Sequence, residues 1–184
     1  MQLATGLNRI VVMGVSGCGK STLAHAIAEH LGWTMVEGDT LHSEHSVQKM
    51  TQGIALTDGD RADWLNKLAA LLAGATSPTV MTCSALKAHY RNTLRHAAPR
   101  QLGFVYMALT REESFSRVQN RRGHMFPASL VDSQFEALES PEGEADVLTV
   151  DGNDSTQIQL VAVEQWLAAA GHAAAAPGAS RRAS

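Results

Sequence analysis

Ile10-Val11-Val12-Met13-Gly14-Val15-Ser16-Gly17-Cys18-Gly19-Lys20-Ser21 is the stretch from which the rest of the chain is read. Its first four residues form an apolar, largely β-branched run of the length of a buried strand. From Thr22 to Leu31 the apolar residues return at helical spacing. Between the two lies a glycine-rich turn of the form G-x-x-x-x-G-K-S. Strand, turn and helix in that order are the setting a phosphate loop requires.

The residue types explain the spelling. Gly14, Gly17 and Gly19 let the backbone coil tightly and turn successive N–H groups inward, toward a phosphate chain. The helix that starts near Lys20 adds its positive dipole end. Lys20 reaches the β- and γ-phosphates as a mobile point charge, and the Ser21 hydroxyl is a ligand for Mg2+. The nucleotide implied is ATP or a relative.

Outward from this motif the chain alternates between strands and helices. Residues 33–37 predict a second strand running into Gly38-Asp39, and residues 41–53 a weakly amphipathic helix. Residues 57–60 predict a capping turn, followed by a strongly periodic helix over 61–72. Two helices therefore separate the second strand from the third, an insertion suited to a second substrate. Further strands are predicted at 79–83, 102–108 and 146–150, with helices at 111–122, 129–138 and 158–170. Five short apolar strands alternating with helices predict an α/β fold with a five-stranded parallel sheet covered on both faces. Ligands of such sheets collect at the carboxyl ends of the strands.

A chain of 184 residues with two cysteines and a net charge of −3 reads as one domain. The expected division is a single domain over 1–170, with an insertion at about 40–76, a mobile lid at about 117–130 and a disordered tail at 171–184. The charge gives no footprint for nucleic acid, no apolar run reaches membrane-span length, and the two cysteines fit a reducing compartment. The expectation is a cytoplasmic protein without nucleic-acid or membrane partners.

Three features favour a small-molecule kinase over a switch or motor. The chain is short. Asp39, at the mouth of the second strand, is placed to accept a proton from a substrate hydroxyl or to orient it. Arg117, Arg121 and Arg122 surround a glycine break, and guanidinium donors stabilise the charge that spreads over a moving phosphoryl group. The spacing alone does not say which arginine faces the γ-phosphate and which stacks on adenine.

Several blocks carry a more specific resemblance: Glu37-Gly38-Asp39 with Leu41-His42; Lys49-Met50 through Asp60-Arg61 to Trp64-Leu65; Cys83-Ser84-Ala85-Leu86-Lys87 with Tyr90-Arg91; Arg121 with Gly123-His124 and Phe126; and Gln134-Phe135 with Leu138-Glu139. Together they resemble the gluconokinase family from Ile10 to Trp166. The resemblance implies a phosphate-loop kinase fold, transfer of the ATP γ-phosphate to the 6-hydroxyl of D-gluconate, and a homodimer. Carried to these positions, it implies that Gly14 to Thr22, with Val15, Ser16 and Cys18 among them, hold the triphosphate and Mg2+, and that Lys20, Asp39, Arg117 and Arg121 have catalytic roles, the arginines also contacting nucleotide. It implies acceptor recognition by Asp39, His42, Asp60, Arg61, Lys87, Arg91 and His124. An arginine fork suits a carboxylate better than a lysine, which singles out Arg61 and Arg91. The third strand ends in Cys83-Ser84 without an acidic residue, so Ser21 is the one metal ligand named, with Asp39 left open. A shikimate-kinase-like enzyme and a non-catalytic nucleotide-binding module are the alternatives.

Overall fold

The computed structural model describes residues 6–99, 101–120 and 127–175. Strands β1 (Arg9–Met13), β2 (Thr34–Val36), β3 (Thr79–Thr82), β4 (Leu102–Ala108) and β5 (Val147–Asp151) form one sheet in the order β2-β3-β1-β4-β5. Every pairing is parallel. The helices are α1 (Lys20–Leu31), α2 (Glu44–Thr51), α3 (Asp58–Gly74), α4 (Ala88–Ala97), α5 (Arg111–Asn120), α6 (Val131–Ala137) and α7 (Thr156–Ala175).

The alternation of side chains along β1 divides the core in two. Ile10 and Val12 pack with Val80, Val105 and Met107 against Leu23 and Ile27 of α1 and Val163 and Leu167 of α7. Val11 and Met13 point the other way. They join Met81, Phe104 and Tyr106 against Trp64, Leu68 and Leu72 of α3 and Leu94 of α4. Burial on both faces explains why β1 is apolar at every position rather than at alternate ones. Each fully buried leucine contributes about 2 kcal/mol. No described helix is long and apolar enough to cross a membrane.

The central strand and the insertion agree with the sequence-based expectation, with adjustments at the ends. Residues 41–53 are not one helix. A 3-10 turn over Gly38–Leu41 comes first, and the Ser43 side chain then accepts the Ser46 N–H to start α2. Thr57 caps α3 in a reciprocal capping box with Asp60, so that helix begins earlier than its apolar periodicity indicates. Helix α7 continues to Ala175, so the first part of the expected tail is helical.

At the far end of the sheet, Arg9 is buried and donates to the Leu72 and Ala75 carbonyls at 2.6 and 2.8 Å. That basic residue fastens the β1 start to the end of α3, well away from the strand ends that face ligands.

Candidate active site

The phosphate loop connects β1 to α1 with Gly14, Gly17 and Gly19 all at positive φ, where a side chain would be strained. Gly19 caps α1 without a side-chain hydrogen bond, and no acidic residue sits in the first turn. The opening N–H groups of α1 are thus left for an anion. Lys20 folds back over the loop and donates to the Gly14 and Val15 carbonyls at 3.2 and 3.1 Å. Cys18 is buried and fills the inside of the turn.

An open cleft lies beside the loop. Ser16 and Lys20 form its phosphate side. Asp39, His42 and Arg61 face them, Met50, Leu56 and Leu130 supply an apolar floor, and Ser84, Ser133 and Gln134 add polar groups. The structure therefore brings together Lys20, Asp39, His42 and Arg61 from separate parts of the sequence.

Asp39 reaches the cleft because Gly38 lies against β3. A Cβ on Gly38 would stand 2.0 Å from the Thr82 carbonyl oxygen, so no other residue fits there. The Gly38 N–H donates to Thr82 Oγ1 at 3.0 Å, and the Thr82 hydroxyl donates to Glu37. The Gly38 carbonyl accepts the Trp64 indole N–H at 2.8 Å. The turn carrying Asp39 is thereby tied to both β3 and α3.

His42 stacks on Trp64 with ring centroids 4.2 Å apart and planes inclined by 14°. Its Nδ1 is the one buried side-chain polar atom among the described residues without a hydrogen-bond partner. Burial, against the opposing pull of Asp39, lowers its pKa to about 4. The ring is neutral at physiological pH and offers one uncharged hydrogen-bonding group to the cleft.

The Arg61 guanidinium makes no hydrogen bond or ion pair with the described residues and lies 5.9 Å from the Tyr90 ring centroid. Tyr90 donates to Asp58, which also pairs with Lys87 at 2.8 Å. Those hydrogen bonds hold the Asp58 carboxyl below the usual carboxylate range, while burial and Asp58 push the Tyr90 phenol up. The tyrosine thus forms a fixed platform beneath a cation whose donors remain available.

Other expected residues lie elsewhere. Arg91 is a correction: it is 1% exposed, pairs with Glu144 at 2.6 Å and donates to the Ala85 and Leu86 carbonyls. Those bonds brace the turn after β3, where Ala85 holds a left-handed φ of 45°, and so present Ser84 to the cleft. Asp60 caps α3 and pairs with Lys49 at 2.8 Å, which together hold its carboxyl well below the usual range. Lys87 is committed to Asp58 outside the cleft. Arg117 donates to the Gly17 and Gly152 carbonyls at 3.3 and 3.0 Å, beside the phosphate loop but not lining the cleft. Arg121 and His124 lie outside the described residues. Burial raises the Cys83 thiol to about 12, so it stays protonated and inert.

Among the residues at the site that carried no expected role, two hold the phosphate loop. Ser114 of α5 donates to the Ser16 carbonyl at 2.7 Å, and Gln134 of α6 accepts the Ser16 N–H at 2.6 Å. The block Gln134-Phe135 with Leu138-Glu139 was the available signal for the second.

Comparison with known proteins agrees with this geometry. A family model described as an AAA domain matches residues 10–141. A gluconokinase of Gluconobacter oxydans (strain 621H) is 43% identical over 154 residues, covering 82% of this chain and 86% of the relative. The thermoresistant gluconokinase of Escherichia coli (strain K12) is 40% identical over 145 residues, covering 77% and 82%. A crystal structure of a gluconokinase from Sinorhizobium meliloti 1021 superposes with a TM-score of 0.79 at 41% identity, covering 86% of this chain and 93% of that one.

Proposed function

The chain belongs to the gluconokinase family, and from that premise we propose how its cleft carries out ATP-dependent phosphorylation of D-gluconate. The 6-hydroxyl oxygen attacks the γ-phosphorus, the bond from that phosphorus to the β–γ bridging oxygen breaks, and 6-phosphogluconate and ADP result. Asp39 accepts the hydroxyl proton or orients the hydroxyl for attack. Lys20 exchanges its loop carbonyls for the phosphates and follows the charge as it moves to the leaving oxygen. Arg61 pairs with the gluconate carboxylate through its planar fork. Neutral His42 and the Ser84 hydroxyl satisfy the polyol without adding charge.

The observation that carries this reading is the meeting, in one cleft, of Lys20 and Ser16 with Asp39, His42 and Arg61. A polyol carboxylate needs a cation at one end, uncharged hydrogen-bonding groups along its length and a base at the reacting hydroxyl. The cleft supplies each. Arg117 acts at the outer side of the loop, and the family resemblance assigns Arg121 to the nucleotide and His124 to the acceptor. Helices α2 and α3 serve as the acceptor-binding insertion of a single kinase domain that works as a homodimer.

The Ser16 and Ser21 hydroxyls at the loop suit Mg2+, while Cys18 is buried inside the turn and Cys83 stays protonated, so neither thiol is a soft competitor. Ser21 would hold the ion through its hydroxyl, where Mg2+ neutralises charge on the β- and γ-phosphates. The test is ADP release with ATP and Mg2+ across gluconate, shikimate, common sugars and nucleoside monophosphates. Turnover dependent on gluconate supports the assignment. ATP binding without turnover on any of these acceptors overturns it.

A further inference from the structure

Gln134 stands out because it is a cleft residue of α6 that is bonded directly to the phosphate loop. It is 7% exposed, yet it lines the cleft with Lys20, Asp39 and Arg61. Its Oε1 accepts the Ser16 N–H at 2.6 Å. A carboxamide whose oxygen is held by a backbone donor has its two ends assigned, and both remaining N–H groups lie on Nε2. The Ser16 carbonyl is held by the Ser114 hydroxyl at 2.7 Å. Ser16 is thus gripped on both backbone groups by side chains of α5 and α6, on the side of the phosphate loop that faces the acceptor.

A γ-phosphate beside Ser16 and Lys20 introduces acceptor oxygens stronger than an amide carbonyl. They compete with Gln134 for the Ser16 N–H, and the position of the carboxamide then depends on the nucleotide. Its Nε2 donors belong to the same rigid plane, on a residue that lines the cleft together with Asp39, His42 and Arg61. Shifting one end shifts the other.

We propose that Gln134 is a positioning residue that couples the two substrates, its Oε1 reading the phosphate loop at Ser16 and its Nε2 donors meeting the acceptor. This rests on gluconate being the acceptor. Coupling of this kind is reciprocal: whatever factor nucleotide adds to gluconate affinity, gluconate adds to nucleotide affinity.

The experiment is calorimetric titration of gluconate into the full chain, with and without Mg2+ and a non-hydrolysable ATP analogue. The wild-type protein is expected to bind gluconate about 10-fold tighter with the analogue present. In Gln134→Met, of similar length but without either hydrogen-bonding group, that ratio falls to near one while the analogue alone still binds within about threefold. Ser114→Ala loosens Ser16 without touching the acceptor and keeps the ratio. A wild-type ratio of one, a ratio preserved in Gln134→Met, or an equal loss in Ser114→Ala overturns the coupling role. Wild-type protein that neither binds nor phosphorylates gluconate overturns the acceptor assignment, and this inference with it. Normal gluconate turnover with an unchanged ratio in Gln134→Met overturns this inference alone.

Discussion

The phosphate wall of the cleft comes from one unbroken stretch, residues 14–21, while the facing wall is gathered from the turn bearing Asp39 and His42, the insertion bearing Met50 and Arg61, the β3 end at Ser84, and α6. The first wall works mainly through backbone: N–H groups, glycine conformations and a helix end. The second works through side chains, brought in by several different elements. A wall of the first kind recognises any triphosphate. A wall of the second kind can distinguish one acceptor from another, because its chemistry is set residue by residue.

Substitutions that remove one wall's contribution sharpen this contrast. The largest effect is expected for Lys20→Ala, which removes the one side-chain charge of the phosphate wall. Gluconate-dependent kcat/KM should fall by about 10⁴-fold with little change in Tm, and retained turnover would remove the lysine from the mechanism. Asp39→Asn should lower kcat by about 10³-fold and leave the KM for ATP unchanged, since the residue acts on the acceptor wall alone. A matching rise in the ATP KM would mean the walls are not separable.

The two arginines chosen from the sequence provide a second contrast. Arg91→Met strips a buried partner from Glu144 and removes the side-chain donor to the Ala85 and Leu86 carbonyls, of which Leu86 keeps the Glu139 N–H, for a loss of about 3 kcal/mol of stability visible in denaturant melts. Gluconate KM should change little. Arg61→Lys should do the reverse, raising gluconate KM about tenfold with stability intact. A swapped outcome would return Arg91 to the site.

The smallest effect concerns His42. The unfolded chain protonates this histidine below about 6.5 and the folded protein only below about 4. Between these values the unfolded state binds more protons, so stability is lost as pH falls from 6.5 toward 4 and is unaffected above that window. His42→Phe keeps a ring on Trp64 and cannot protonate. Its melting temperature should fall less steeply than the wild type over the same pH range, and parallel curves would place the acid sensitivity elsewhere.

The contrast between the walls also explains what could be read from the chain. The phosphate loop is local, so its residues, its strand and its helix follow from one stretch, and the β1 pattern implies a doubly covered sheet. The capping box at Thr57 and Asp60 is local too. Arg61 and Arg91 could not be separated this way: both are arginines on helices, and only the position of Glu144, 53 residues from Arg91, assigns one to the structure. Gln134 meets Ser16 across 118 residues, a pairing that depends on how α6 packs rather than on any spacing. The single helix expected at 41–53 failed for a local reason, because Ser43 is a better cap than a mid-helix residue.

The stacked pair at the centre of the acceptor wall has an optical consequence. Of the three tryptophans, Trp33 and Trp166 pack into the core on the opposite face of the sheet, and Trp64 alone lies against a residue of the cleft. Its indole emission is therefore an internal signal from the acceptor site, sensitive to whatever hydrogen-bonds the imidazole above it. Gluconate entering the cleft reports itself as a change in tryptophan fluorescence, with no label attached to the protein.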